Sequence, residues 1–138
     1  MTHGRPFVTF SPEMSAAEML RHVGRSTWQD VFPVVDASGT MVGIVSVDAM
    51  RFLSAEREDT PWTLAADIMQ PAISVRVDDD LRKATEHLVA NGLRELPVVD
   101  DNNVIIGFLD EREVAKLYLK AEARTSSLAE EVEPVILH

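Results

Sequence analysis

The feature that most constrains this chain is an internal repeat. Residues 32–45 read FPVVDASGTMVGIV and residues 96–109 read LPVVDDNNVIIGFL, at an offset of 64 positions with no gap. A proline, two valines, an aspartate and a glycine coincide, and every core-type position keeps an apolar residue. One supersecondary unit is therefore expected to occur twice, with the two copies burying a shared core.

Each repeated segment predicts a β-hairpin, because two short runs rich in β-branched residues flank a turn of small polar residues. Proline cannot donate to a strand ladder, so Pro33 and Pro97 are expected where a strand begins. Gly43 and Gly107 lie inside apolar strands. They indicate either a close approach of other atoms to the backbone or a packing contact or bulge.

A helix is predicted before each hairpin. In the first copy Ser11 is expected to cap a helix that ends near Gly24, since serine suits a helix start and glycine a helix end. In the second copy Asp78 is the expected cap, and Asn91-Gly92 is the expected end. Apolar residues recur at helical spacing between these signals.

A further helix is predicted after each hairpin, near residues 49–55 with Asp48 as its cap, and near residues 111–123. Short strand candidates at residues 8–10 and 73–75 complete the copies. Each copy is thus predicted as strand, helix, strand, strand, helix, an α/β (α+β) fold.

A charged stretch that ends in Thr-Pro, at residues 56–61, predicts the connection between the copies. The predicted division is a first domain, a connector, a second domain and an acidic tail: 7–57, 58–66, 67–123 and 124–138.

Composition excludes several classes of function. The chain is 46% hydrophobic and 26% charged, as in folded soluble proteins. Thirteen Lys and Arg against 23 Asp and Glu give a formal charge of −10 without a basic stripe, which disfavours nucleic acids and anionic membrane surfaces as partners. No apolar run approaches the roughly 20 residues that cross a bilayer, so no direct membrane insertion is expected. The absence of cysteine agrees with a cytoplasmic location.

No catalytic motif is recognised. The chain lacks a nucleophile motif, a P-loop and a dinucleotide fingerprint, and its four histidines lack ligand spacing. The acidic run Asp78-Asp79-Asp80 fits a helix start better than a metal site, because adjacent side chains diverge there. The chain is therefore expected to have no enzymatic activity, no metal and no required cofactor.

The duplicated unit, with its Pro-Val-Val-Asp hairpin and a glycine before the last helix, resembles the CBS (cystathionine-β-synthase) domain over nearly all of residues 7–121. Residues 32–36, 66–69 and 114–119 are most similar to the cytosolic tails of voltage-gated chloride channel family proteins. The first copy has no segment before Phe7 that matches Asp67-Ile68-Met69 of the second copy. This difference predicts that the chain is a fragment of a longer parent chain.

The resemblance implies two domains packed sheet to sheet about a pseudo-twofold axis, with clefts that bind adenine nucleotides, and a disk-shaped homodimer. In the family a hydroxyl lies three residues after the strand glycine, and an aspartate that binds the ribose lies three residues further. The first copy has Ser46 but Ala49 in the aspartate position. A lost charged acceptor forfeits about 1.5 to 3 kcal/mol.

The second copy departs differently. Asp110 replaces the hydroxyl, and it either opposes a ligand phosphate or caps the final helix; the two roles are compatible. Glu113 is either a ribose ligand or a solvated acid in the first helical turn. Arg94 lies either near the ligand's phosphates, as in the family, or exposed. Ser74 and Pro97 complete the candidate ligand-binding set.

The expected function is a regulatory CBS pair that senses a small ligand, weakly bound adenosine, AMP or ATP, and controls an attached anion channel or transporter. Its expected location is the cytoplasm, including the cytosolic face of a membrane as part of a membrane protein. The parent's transmembrane domain would then be a partner. The alternative is a structural dimerisation module without a ligand. Ala49 and Asp110 favour the alternative, whereas Ser46, Glu113 and the strand glycines favour the sensor.

Overall fold

The computed structural model describes residues 6–26, 28–56, 62–116 and 119–120. The acidic tail, the predicted helix end beyond residue 120 and part of the connector lie outside the described residues. Within them, no helix has the length and apolar character needed to cross a bilayer.

The elements alternate in the order that the repeat predicts, which confirms the α+β fold. In chain order they are α1 (Ala16–Val23), β1 (Val31–Val35), β2 (Met41–Ser46), α2 (Val47–Glu56), α3 (Ala65–Ile68), β3 (Val75–Arg76), α4 (Leu81–Asn91), β4 (Glu95–Val99) and β5 (Ile105–Asp110). Residues 111–116 continue from β5 as a helix. The strand expected at residues 8–10 is reduced to a single parallel bridge between Phe10 and Val34.

The two hairpins have the same register. β1 pairs antiparallel with β2 so that Val34 faces Gly43, and β4 pairs antiparallel with β5 so that Val98 faces Gly107. In each hairpin the pairing register shifts at the next residue, between Val34 and Val35 and between Val98 and Val99. β3 adds to β4 in parallel, which gives the second copy a three-stranded sheet.

Both prolines lie in the middle of their strands, so their prediction as first strand residues was wrong. Pro33 pairs with Ile44, and Pro97 pairs with Phe108. The Pro33 carbonyl accepts a hydrogen bond from the Phe10 amide at 2.9 Å, on the side away from β2. Since the nitrogen and carbonyl of one strand residue point to the same side, Pro33 breaks no bond between β1 and β2.

The helix ends agree with the glycine signals, but the N-caps differ from those expected. Gly24 and Gly92 are the C-caps of α1 and α4, and Gly92 has the left-handed φ of 61° that favours glycine. The α1 cap is Ser15 instead of Ser11, because the Ser15 hydroxyl accepts from the Glu18 amide at 3.3 Å.

The other two N-caps are also shifted by a few residues. In α4 the Asp80 carboxylate accepts from the Lys83 amide at 2.8 Å, so Asp80 is the cap and Asp78 is not. At α2 the Ser46 hydroxyl, and not Asp48, accepts the first-turn hydrogen bond, from the Ala49 amide at 3.2 Å.

One hydrophobic core crosses the boundary between the copies. It joins first-copy residues to second-copy residues, namely Val31, Met41 and Ile44 to Val75, Ala84, Leu88, Leu93, Leu96, Val98, Val99, Phe108 and Val114. The hairpins also meet directly, since the Met41 amide donates to the Asn103 carbonyl at 3.0 Å and the Asn103 side chain donates to the Met41 carbonyl at 2.8 Å. The copies therefore share one folded unit.

Gly43 lies where the chain between the copies crosses β2. Ile44 and Gln70 exchange backbone hydrogen bonds of 3.1 and 2.8 Å. A Cβ atom at position 43 would lie 2.7 Å from the Met69 sulfur and 2.9 Å from the Gln70 carbonyl oxygen. Of the alternatives given for this glycine, the structure shows the close approach of other atoms to the backbone.

Candidate functional site

Two clefts lie where the copies meet. The first, here the Asp110 cleft, has a volume of about 290 Å³ and is lined by Trp28, Asp30, Arg94, Glu95, Phe108, Asp110, Glu111 and Arg112. The second, here the Ser46 cleft, has a volume of about 90 Å³ and is lined by Asp30, Val31, Ser46, Val47, Asp48, Arg51, Gly92, Leu93 and Arg94.

The repeat relates the two clefts. An offset of 64 converts Ser46 into Asp110 and Val31 into Glu95. The same offset converts Asp30 into Arg94, and both of these residues line both clefts. The clefts are therefore pseudo-equivalent, and each is built by both copies.

Asp30 and Arg94 form the charged wall between the clefts. A guanidinium nitrogen of Arg94 lies 4.0 Å from a carboxylate oxygen of Asp30. The backbone carbonyls of both residues accept hydrogen bonds from the first residues of the helices that follow the hairpins. The Asp30 carbonyl accepts from the Val47 amide at 2.8 Å, and the Arg94 carbonyl accepts from the Glu111 amide at 2.9 Å. The wall is thus connected by backbone hydrogen bonds to α2 and to the helix at residues 111–116.

Glu95 is the one charged side chain buried in the core of the described residues, with 4% of its surface exposed. One carboxylate oxygen, Oε1, accepts from the Asp30 amide at 2.6 Å and from the Val31 amide at 2.9 Å. Burial raises the pKa of this carboxyl group, the two amide hydrogen bonds lower it, and the negative charges of Asp30 and Asp110 raise it further. Glu95 thus ties the two copies together at the floor of the Asp110 cleft.

Sequence reasoning missed Glu95. The signal was present, because an offset of 64 pairs Glu95 with Val31, a charged residue with an apolar core residue. Such a mismatch at a buried position of a repeat indicates a local role for the carboxylate.

The candidate residues after each strand glycine act as helix caps. Ser46 accepts from the Ala49 amide, as described above. Asp110 accepts from the Glu113 amide at 2.8 Å, and Glu113 in turn accepts from the Asp110 amide at 3.4 Å. This reciprocal arrangement is a capping box. The N-cap role predicted for Asp110 is therefore confirmed.

The structure brings three of the six candidate residues to the clefts: Ser46, Arg94 and Asp110. Glu113, Ser74 and Pro97 are not among the residues that line either cleft. Pro97 is fully buried within β4, and Ser74 lies half-buried just before β3. A ligand role for these three residues stays a prediction.

The clefts differ in charge. Four carboxylates and two guanidinium groups line the Asp110 cleft, whereas two of each line the Ser46 cleft. In the Ser46 cleft Asp48 is paired with Arg51 at 3.2 Å. Among the described residues, no group of three or more acidic or histidine side chains is arranged to hold a metal ion.

A sequence model of the CBS domain matches the chain twice, over residues 1–55 and 65–120. The chain belongs to the CBS domain family. CBS domain pairs are generally regulatory modules. A relative from Methanopyrus kandleri is 29% identical over 115 residues, which are 82% of this chain and 58% of that protein. The chain thus spans less than two thirds of that relative's length.

Two solved structures are similar to this CBS pair. The structure of CBSX2 in complex with AMP is 28% identical, with a TM-score of 0.68 over 88% of this chain and 94% of that chain. The cytosolic domain of the Mg²⁺ channel MgtE in complex with ATP is 25% identical, with a TM-score of 0.68 over 80% of this chain and 44% of that chain. These findings confirm the tandem CBS pair, while the narrower similarity to chloride channel tails stays a prediction.

Proposed function

We propose that this CBS pair is a regulatory module in which an adenosine-type ligand, bound in a cleft between the copies, changes how the copies pack. The observation that carries the proposal is that both copies build each cleft, with Asp30 and Arg94 shared by the two clefts. The similarity to CBSX2 and to the MgtE domain, whose structures contain AMP and ATP, supports the class of ligand.

The ligand would act through the wall between the clefts. Arg94 is largely exposed and only loosely paired with Asp30, so its guanidinium group can turn toward a ligand. The backbone carbonyls of Asp30 and Arg94 accept hydrogen bonds from the first residues of the helices that follow β2 and β5. The two copies can pack in more than one arrangement, and a ligand that binds one arrangement more tightly increases its population. The size of the shift is set by the ratio of the ligand's affinities for the arrangements.

The proposed effector is a membrane transporter or anion channel whose cytosolic part includes this chain. The similarity to the cytosolic domain of MgtE supports a transporter, and the similarity of residues 32–36, 66–69 and 114–119 to chloride channel tails supports an anion channel or exchanger. The proposed assembly is a homodimer in the cytoplasm.

A structural dimerisation module is the second candidate, and the helix caps favour it. Ser46, Asp110 and Glu113 are all engaged in hydrogen bonds within the chain. Exposed apolar side chains are available for a contact between chains, including Phe52 and Trp62, which are 70% and 83% exposed.

Calorimetric titration with adenosine, AMP and ATP separates the two candidates. The sensor predicts saturable binding of at least one compound, weakened about tenfold by Arg94→Gln because a charge-assisted hydrogen bond is lost. Arg82→Gln is the matched control, since Arg82 is exposed on α4 and lines neither cleft. Absence of heat with all three compounds would contradict the sensor and favour the structural module. Saturable binding that is equal in the two variants would contradict the role of Arg94 in holding the ligand.

A further inference from the structure

The Asp110 cleft is small for the ligand proposed above. Its volume of about 290 Å³ lies just below the roughly 300–1,000 Å³ of most small-molecule pockets. Of the two aromatic residues in its lining, Phe108 is fully buried at 1% exposure, whereas Trp28 is only half-buried. Trp28 is therefore the bulky side chain whose movement would enlarge the cleft most readily.

Trp28 is held in the cleft wall by residues 6 and 7. Its indole nitrogen donates a hydrogen bond to the Pro6 carbonyl at 3.0 Å. The rings of Phe7 and Trp28 both pack edge to face on Phe108, with centroids 5.5 and 5.2 Å from it. Neither Pro6 nor Phe7 is among the residues that line the cleft. Pro6 and Phe7, here the latch, thus contact two residues of the wall without lining the cleft.

The chain is held differently from Val8 onward. The buried Gln29 side chain bonds both backbone groups of Val8, accepting from its amide at 2.6 Å and donating to its carbonyl at 2.9 Å. Two residues further on, Phe10 exchanges backbone hydrogen bonds with β1. Val8 packs against the core cluster of the first copy, whereas Phe7 packs against the core that joins the copies. The latch can therefore detach while the chain from Val8 onward keeps its bonds.

One side chain couples the cleft to the latch. The hydrogen bond between Trp28 and Pro6 is exposed, so water can replace it at little cost when it breaks. Turning the indole out of the wall would break this bond, whereas the hydrogen bonds of Val8 do not involve Trp28. Enlargement of the cleft and release of the latch are therefore expected to occur together.

We propose that the latch opposes ligand entry: a ligand that fills the Asp110 cleft turns Trp28 outward and releases Pro6 and Phe7, while the chain from Val8 onward stays in place. Release changes the path of the chain that precedes Val8, so the occupied cleft has an output at its N-terminal side. Because such coupling is reciprocal, release of the latch tightens ligand binding. The adenosine type of the ligand rests on the proposed function, whereas the hold on Trp28 does not.

Tryptophan fluorescence measures the hold of the latch on Trp28 without a ligand. The chain has two tryptophans, so a Trp62→Phe background leaves Trp28 as the single reporter. In this background Phe7→Ala is expected to shift the emission to longer wavelength and to increase quenching by acrylamide. Phe7→Leu keeps an apolar side chain against the core and is expected to have a smaller effect in the same direction. Phe52→Ala is the matched control, since Phe52 is 70% exposed and lines neither cleft.

Calorimetric titration with adenosine, AMP and ATP measures the effect of the latch on binding. Phe7→Ala is expected to bind its ligand ~5-fold or more tightly than the unsubstituted protein does, because the ligand no longer has to release the latch. Phe52→Ala is expected to bind as the unsubstituted protein does. When the unsubstituted protein is saturated, the heteronuclear NOE of the Phe7 amide is expected to fall, while that of the Val8 amide stays unchanged.

The outcomes separate the latch from the proposed function. Unchanged emission and quenching of Trp28 in Phe7→Ala overturn the latch, whatever the protein binds. Equal or weaker ligand binding by Phe7→Ala also overturns the latch and leaves the adenosine sensor standing. Binding of a compound by Phe7→Ala alone supports the latch. Binding of no compound to either protein overturns the adenosine-type ligand of the proposed function and the release of the latch by such a ligand together.

Discussion

At the scale of single residues, Gly43 shows how the repeat is joined. The backbone of residues 69–70 runs directly over β2 at this position, and Ile44 exchanges two hydrogen bonds with Gln70. The sequence indicated a close approach, a packing contact or a bulge here, because glycine interrupts an apolar strand. It could not say what approaches, since Met69 and Gln70 are about 26 positions away along the chain.

Gly43→Ala is expected to lower the free energy of unfolding by about 1 to 3 kcal/mol, because its Cβ would meet the Gln70 backbone, which cannot move aside cheaply. Urea denaturation measures the change. Gly24→Ala is the control, since its Cβ would lie 3.5 Å from the nearest atom, the Arg21 carbonyl oxygen, and its φ of −61° suits alanine. Equal stability of the two variants would contradict this account of Gly43.

Glu95 predicts a pH dependence of stability. Burial raises its folded-state pKa above the ordinary value of 4.5, so the folded state binds more protons than the unfolded state in the window that starts near that value. The contribution of Glu95 to stability is therefore full below this window, and it is lost as the pH rises through the raised folded pKa. Glu95→Gln lacks this loss.

Urea denaturation of both proteins across the window tests the prediction. The stability of Glu95→Gln relative to the unsubstituted protein is expected to increase as the pH rises. Parallel stability curves for the two proteins would show that Glu95 is not perturbed by burial.

At the scale of elements, the hairpins and the order of helices and strands were predictable because the same apolar pattern occurs twice. The helix N-caps were not. Three acidic residues precede α4, and each is a good capping residue by type. The Asp79 carboxylate is already engaged, because it accepts a hydrogen bond from the Arg76 amide at 2.8 Å. Which of the three residues caps α4 therefore depends on where β3 ends.

Asp80→Ala is expected to destabilise the protein by about 1 kcal/mol, the usual cost of losing an N-cap. Asp78→Ala is expected to leave stability nearly unchanged, since Asp78 is exposed and does not cap the helix. Thermal unfolding of the two variants gives the comparison. A larger loss for Asp78→Ala than for Asp80→Ala would contradict the cap assignment.

At the scale of the whole molecule, the repeat predicted two copies with a common core, and the core cluster contains residues of both. The clefts were predicted only in part. Ser46, Arg94 and Asp110 could be placed there by their distance from the repeated hairpin and its glycine. The contributions of Trp28 and Asp30 could not, because these side chains meet the cleft only once the copies have packed together. Glu95 was missed although its mismatch with Val31 across the repeat was a signal.

The central claim is that one ligand engages both copies at once. The most direct measurement is a nuclear magnetic resonance titration of the backbone amides with adenosine and with AMP. The account predicts saturable shifts at Asp30 and Val31 in the first copy and at Glu95 and Glu111 in the second, with the same dissociation constant in both copies. Shifts confined to one copy, or no saturable shift at these four amides, would contradict it.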